Sequence, residues 1–518
     1  MISVSRRSFL VGVAAAGTLV ACGRGASGGA TAGGAVDPAA VLRGGWSTAP
    51  TNLDPHMATS EVIWFRFGLN LIYDRLFTVT STGDVKGMLV TNHTYSPDGL
   101  TLTLDLREGV TFRDGRALDA AAVKTSLDRA RTLQSPSVKA RLVDIVDTTV
   151  TAPHQLTIAL ARPTPTVPYL LAECAGLILH PDLVANGDPA TTTNGSGAYS
   201  VEEFVPGKSL TLVRDRADYW DPEAAQVARI ENQAIPDFQA FSNALAASQI
   251  DIGQFQPNNV ASIEGRRGLT TVPVPTGISI DLYLNRALAP LDSLPVRQAI
   301  NLALDRDAIT AALYPGSESK YQYYRDGLPG YDPSLAPLTR DLPRAKALLS
   351  EAGFPNGVDL GEIIVANAVT AGLPDVVQQQ LAEAGIRARI TVADAVQVVT
   401  RWAAGKDAAM LQFSVTGTEP SAGASTLWGP QLNPAGRTPE FTRLLDAAAD
   451  NRLTPEERGA GYQRLNRYLR DQAWSAPITW ITYPWVMTER MQGFSPQMDY
   501  ASTLGPYDWR YLALTATS

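Results

Sequence analysis

The sequence predicts an α/β protein built as more than one lobe. Three observations carry that prediction. The chain has 518 residues, and a single core stops growing at about 250–300 residues. Its second half alternates strand and helix patterns: Ile363 to Ala366, a helix around Pro374 to Ala384, and Ile386 to Val392 read as one βαβ unit with a parallel sheet. Its first half instead holds period-two segments, the cleanest being Leu100-Thr101-Leu102-Thr103-Leu104-Asp105-Leu106.

The elements follow in order. Val41 to Asp54 reads as a strand running into a turn at Leu53-Asp54-Pro55. Glu61 to Leu76 places Trp64, Phe67, Gly68, Leu71 and Ile72 at helical spacing. After Leu106 the strand pattern resumes at Val110-Thr111-Phe112, and Asp114-Gly115 marks a turn. Ala120 to Thr132 is helical and Gln155 to Leu160 alternates again. A loop at Asn194 to Gly197 leads into strands Tyr199 to Val205 and Ser209 to Arg214, joined by Pro206-Gly207. Pro295 to Ala312 reads as one helix with Val296, Ala299, Ile300, Ala303 and Leu304 on one face. Asp341 caps a helix that turns Ala345, Leu348 and Leu349 inward and stops at Gly353. Thr454-Pro455-Glu456-Glu457 is a capping box with proline in the first turn, opening a helix to about Gln472. The Trp- and Tyr-rich tail from Trp474 to Trp509 is apolar enough to pack back onto an earlier lobe.

The N-terminus carries an address. Ser5-Arg6-Arg7-Ser8-Phe9-Leu10 is a twin-arginine pair, followed by a short apolar stretch to Ala21 that reads as a signal h-region. It ends in Leu19-Val20-Ala21-Cys22-Gly23, which looks like a bacterial lipobox with Cys22 as the lipid acceptor. Residues 1–21 are thus expected to be removed, and 22–40 to form a lipidated Cys and a flexible Gly/Ala/Ser-rich linker. Two motif matches fall in that linker and are rejected. Gly23 to Gly28 fits G-x-G-x-x-G and Gly25 to Gly29 fits G-x-S-x-G, but each requires a strand before it and a helix after it. Gly207-Lys208-Ser209 is not a P-loop, because Glu202 stands where the first glycine belongs.

Composition narrows the function. The net charge is −8, and loss of Arg6 and Arg7 with the first 21 residues leaves −10, an acidic balance that argues against nucleic acid as ligand. No later segment approaches eighteen consecutive apolar residues, so a soluble body held at the membrane only by its lipid is expected. With Cys22 lipidated, Cys174 is alone and reads as a small buried hydrophobe. The four histidines, His56, His93, His154 and His180, are scattered, so neither a metal site nor any other cofactor is expected.

A series of segments carries a resemblance. Leu53-Asp54-Pro55-His56 and Tyr73-Asp74-Arg75-Leu76 come first, then Ser96-Pro97-Asp98-Gly99-Leu100 and Leu106 to Gly115. Gly195 to Tyr199, Pro206 to Ser209 and Tyr219-Trp220 follow, then Val296 to Asn301 with Leu304-Asp305-Arg306, and Ala345 to Leu349 with Glu351-Ala352-Gly353. In this order the chain resembles the peptide/nickel class (family 5) of bacterial ABC-transporter solute-binding proteins, which includes oligopeptide- and dipeptide-binding proteins. The resemblance implies a periplasmic-binding-protein-like fold of the class II, cluster C type: two α/β lobes joined by a hinge, plus a strand-rich insertion. Lobe I would be residues 41–77, 188–280 and 478–518, lobe II 78–187, and lobe III 281–477. The implied partners are a peptide or small solute and the permease subunits of an ABC importer with their ATPases. The protein would be a monomer on the outer face of the cytoplasmic membrane.

Peptide binders of this class anchor the ligand's amino group on an acidic residue of lobe III. By resemblance that residue is Glu419 in Val415-Thr416-Gly417-Thr418-Glu419-Pro420-Ser421, with Thr416 and Gly417 beside it; a solvated loop glutamate is the competing reading. Aromatic or polar walls would come from Trp402, Trp428, Tyr283 and Asn285, and from Trp46 and Ser47 on the first strand, with core packing as the default for each ring. Three other functions stand beside a peptide carrier: transport of a nickel or metal chelate, an exported lipoprotein hydrolase, and a sensor or chaperone on the same fold. A hydrolase needs a nucleophile–base pair or a metal cluster, and only the rejected linker motifs suggest one.

Overall fold

The computed structural model describes residues 34–57, 63–80, 82–133, 138, 142–367, 372–415, 419–495 and 508–516. Arg6, Arg7 and the expected lipid acceptor Cys22 lie outside them.

Two long strands organise the chain. Leu269–Leu284 and Ser475–Thr488 run antiparallel through the middle of an 11-stranded mixed sheet. To one side stand Ile252–Gln254, Val41–Trp46, Arg229–Ala234, Ser209–Val213 and Ser200–Val205; to the other stand Ala409–Val415, Val358–Ala366 and Ile386–Ala393. Leu269 to Pro275 lies opposite Thr488 to Thr482, and Ser279 to Tyr283 lies opposite Trp480 to Ser475. Between these two stretches the register shifts, so the two long strands form the passage from one half of the sheet to the other. Every residue of Ser475–Thr488 is buried, which is why the Trp-rich tail reads as apolar throughout: a central strand has no solvent face.

Prolines mark the passage. Pro273 sits opposite Pro484, and Pro275 opposite Thr482. Proline cannot donate to a ladder. Thr276 compensates in part: its hydroxyl donates to the Ile481 carbonyl at 2.8 Å and accepts from the Ile278 amide at 3.2 Å. One step further on, Lys320 and Asp281 form a buried ion pair at 2.8 Å, with side chains 1% and 3% exposed.

A separate four-stranded antiparallel sheet, ordered Val90–Tyr95, Thr101–Leu106, Gln155–Leu160, Ile145–Ala152, packs on the helix Ala120–Thr132 around its own core. Asp74 ties this region to the large sheet, taking hydrogen bonds from the Tyr219 hydroxyl at 2.6 Å and the Trp220 indole at 3.1 Å. Beside it the buried Arg75 donates to Asp508 at 3.1 Å, and Arg510 pairs with the same carboxylate.

The α/β class, the βαβ unit and the capping box at Thr454 all stand in the structure. Three local expectations differ. The helix expected over Pro295 to Ala312 is two helices, Leu294–Ala303 and Arg306–Leu313. Leu304 is extended, and Asp305 caps the second helix by accepting from the Ala308 amide at 3.0 Å. Arg306 is buried at the break, where it donates to the carbonyls of Pro477 at 2.6 Å and Asn301 at 2.8 Å. Val110-Thr111-Phe112 makes only an isolated bridge, Thr111 to Ala117, because Gly109 turns the chain at a φ of 76°. The first strand ends at Trp46.

Candidate functional site

In α/β sheets, ligands bind in the crevice outside the carboxyl ends of parallel strands. Val41–Trp46 runs parallel to Arg229–Ala234 and Ile252–Gln254, so Trp46, Ala234 and Gln254 are such ends. On the other side Val358–Ala366 runs parallel to Ile386–Ala393 and Ala409–Val415, giving ends at Ala366, Ala393 and Val415. Gln254 is opposite Trp485 and Val415 is opposite Ile278. Both sets therefore end at the proline-marked passage.

A cavity of about 200 Å³ opens at the first set. Trp46 and Ser47 form one wall, and Ile235 and Pro236 continue it. Phe238 and Phe241 of the helix Phe238–Ala246 and Phe255 form another, while Gln254, Gln256 and Asn259 supply amides. The Phe255 ring centroid lies 5.7 Å from that of Phe238 and 5.1 Å from that of Phe241. Gly45 and Gly253 make this packing possible. A Cβ on Gly253 would come within 2.2 Å of the Phe241 ring, and one on Gly45 within 3.2 Å. The Trp46 ring is held from behind by Phe67 and Trp485, each at 5.5 Å, and by Trp509 at 5.9 Å.

Glu419 stands beyond the second set. Thr416 and Gly417 lie outside the described residues. Glu419 is buried and N-caps the helix Pro420–Leu427: one oxygen accepts from the Ala422 amide and the Ser421 hydroxyl, each at 2.6 Å, and the other from the Tyr462 hydroxyl at 2.9 Å. It is not a solvated loop glutamate. Burial and then the Glu419 charge hold the Tyr462 and Tyr324 phenols above the ordinary range. The same two causes raise Tyr169. Tyr95 is raised by burial first, with Arg458 opposing and Glu419 adding. The Glu419 charge thus adds to burial at phenols of both the C-terminal half and the four-stranded region, with Tyr462 the one that bonds it.

The other residues expected at the site lie elsewhere. Trp402, Trp428, Tyr283 and Asn285 gather in the core of the C-terminal half. The Trp402 indole donates to the Leu432 carbonyl at 2.9 Å, and its ring lies 6.5 Å from Tyr283. Trp428 packs among Tyr283 at 5.9 Å, Tyr323 at 5.5 Å and Trp474 at 5.3 Å. The Asn285 amide donates to the carbonyls of Gly405 at 3.2 Å and Asp407 at 3.1 Å and accepts from Ala287 at 3.2 Å. Tyr283 is opposite Met410, at the amino end of Ala409–Val415. That end is roughly 20 Å from the carboxyl end at about 3.3 Å per residue. The aromatic wall of the crevice is built instead from Trp46, Phe238, Phe241 and Phe255.

Asp54 closes its own turn on the His56 amide at 2.9 Å and pairs with Arg129. His56 is fully buried, with one ring nitrogen 3.0 Å from Arg129 and the other 3.3 Å from the Leu177 carbonyl. Burial first, then Arg129, lowers its pKa to about 4 against the pull of Asp54. Among the described residues no group of three or more His, Cys, Asp or Glu is placed to hold a metal ion. Cys174 is buried and forms no disulfide among the described residues.

Comparison with known proteins decides the family. Residues 84–433 match the bacterial extracellular solute-binding proteins, family 5, over its middle region. The chain belongs to this family. A family 5 solute-binding protein works outside the cytoplasm and delivers its ligand to an ABC importer. Among the described residues no helix is long and apolar enough to cross a membrane. Curated relatives of this solute-binding protein include the glutathione-binding protein GsiB of Salmonella paratyphi A, 29% identical over 461 residues, covering 84% of this chain and 86% of the relative. GsiB of Escherichia coli K12 is 28% identical over 360 residues, 67% of this chain and 68% of the relative. Solved structures of similar fold include NikA from Brucella suis in complex with Fe(III)-EDTA, with a TM-score of 0.81 and 22% identity over 92% of this chain and 100% of that one. Another is DppA from Helicobacter pylori in complex with the peptide STSA, with a TM-score of 0.77 and 21% identity over 92% of this chain and 98% of that one.

Proposed function

We propose that this protein captures a peptide-like solute in the crevice at the proline-marked passage and hands it to the permease of an ABC importer. The observation that carries the reading is the convergence there of two sets of parallel-strand carboxyl ends, one bearing an aromatic cavity and the other a buried carboxylate. A peptide suits both: an ammonium is drawn to a buried carboxylate that accepts from the Tyr462 phenol, and side chains fill an aromatic recess. That relatives are named for glutathione, and that one solved neighbour holds the peptide STSA, supports the peptide class.

Glu419 is the proposed amino-group anchor. Residues 41–77, 188–280 and 478–518 form lobe I and 281–477 lobe III in this proposal, with 78–187 as the insertion. A ligand that touches both lobes only when they close shifts the population toward the closed state. The twin-arginine pair and Cys22 would export the chain and tether it as a lipoprotein beside the permease.

Thermal unfolding of the purified protein against a panel of di- to oligopeptides and metal chelates tests the reading. A peptide at about 100 times its Kd adds about 2.7 kcal/mol of stability, which is read as a rise in Tm. A rise with metal chelates and none with any peptide overturns it.

A further inference from the structure

We infer that the cavity beside Trp46 is a side-chain pocket selective for an uncharged aromatic or branched aliphatic residue of the ligand. The inference rests on the peptide-like reading and names the side chain such a ligand must carry. Trp46 and Gln254 are themselves strand ends, so the cavity lies at the carboxyl ends of the first set of parallel strands. Its volume is about 200 Å³, and an apolar cavity of about 150 Å³ is known to hold a benzene ring. One six-membered ring or branched chain therefore fits.

The walls say what is refused. No lining residue is Asp, Glu, Lys, Arg or His. A carboxylate entering the cavity loses hydration and meets no opposite charge, and an ammonium meets only ring faces, which return about 2 kcal/mol of a larger hydration loss; both charges are unfavourable there. The wall chemistry is aromatic rings set on bare glycine backbone at Gly253, plus neutral amides. The amides can bond a ligand's backbone but cannot neutralise a charge. A solute with an acidic or basic group at this position is therefore excluded, even though the opposite side of the crevice offers a carboxylate.

The test is calorimetric titration of the purified protein with tri-alanine hosts carrying Phe, Leu, Asp or Lys at each position in turn. At one position the Phe and Leu guests should bind at least about tenfold tighter than Asp and Lys, the scale of burying one large apolar side chain. Asn259→Asp, a near-isosteric change at the rim, should raise affinity for the Lys guest at that position by about tenfold by supplying the missing countercharge. Charged and apolar guests within about threefold at every position would overturn the pocket and leave the peptide reading standing. Failure of every host, uncharged ones included, would overturn the peptide reading and the pocket with it.

Discussion

Lys320→Met should be among the most damaging single changes outside the crevice. The Lys320 ammonium lies 2.8 Å from Asp281, 2.8 Å from the Ser279 hydroxyl and 4.4 Å from the Trp480 ring centroid. Both charged side chains are nearly inaccessible to water. Removing the cation leaves the Asp281 carboxylate with the Ser279 hydroxyl at 2.9 Å and the Ser475 hydroxyl at 3.4 Å as its remaining donors. Stranding one member of a buried pair costs about 3–5 kcal/mol. Replacing both members, as in Lys320→Met with Asp281→Leu, removes the stranded charge and should recover most of that loss. Urea unfolding followed by circular dichroism and tryptophan fluorescence reports the effect as a shift in midpoint at constant slope. Asp281 lies on a strand shared by both halves of the large sheet, so every transition should move. A loss below about 1 kcal/mol for Lys320→Met, or a double variant as unstable as the two single losses added together, would refute the argument.

Acid should destabilise the fold through His56, whose pKa falls from 6.5 to about 4 on burial. Between those values only the unfolded chain takes up the proton, so stability falls as pH drops through that window, by up to about 3 kcal/mol. His56→Gln should flatten that part of the profile, and identical slopes in the two proteins would remove His56 as the cause. Glu419→Gln should weaken free-amino peptides about tenfold or more relative to amino-acetylated ones, the worth of a charge-assisted hydrogen bond; equal loss for both by calorimetry excludes the anchor. Cys22→Ser should release the protein from membrane fractions into the soluble fraction on an immunoblot, and continued retention would contradict lipidation.

Local signals were the legible part of this fold. The caps at Asp341 and Thr454 and the turn at Asp114-Gly115 depend on residues within four positions of one another, so the sequence displays them directly. The helix break at Leu304 was legible in principle, since Asp305 is a good cap. It was masked by an apolar stripe that continues in phase. Of the cavity wall, Trp46 and Ser47 on the first strand were legible and the rest was not. Phe238 and Phe241 come from the helix Phe238–Ala246 and pack with Phe255 over Gly253, and their meeting depends on which strands pair, which is a long-range fact. Trp402 and Trp428 were drawn toward the site by residue type and by nearness in sequence to the Glu419 loop, and burial of a large ring is the commoner use of tryptophan. Glu419 was legible only through the resemblance; its role as a helix cap was not, because Glu is an uncommon N-cap residue.

The facing prolines of the passage bear on how weak a ligand this protein can answer. A sheet that bends elsewhere must stretch or break ladder hydrogen bonds, and each lost bond subtracts from whatever drives the bend. At Pro273 and Pro484 neither residue has a donor to lose. The Pro484 carbonyl still accepts from the Phe255 amide at 2.8 Å, but with two donors fewer the ladder has less bonding to lose on bending, so less of a ligand's contact energy is diverted into deforming the scaffold. A receptor with such a joint can respond to solutes of modest affinity and still let them go, which is what a carrier that must unload at every cycle requires.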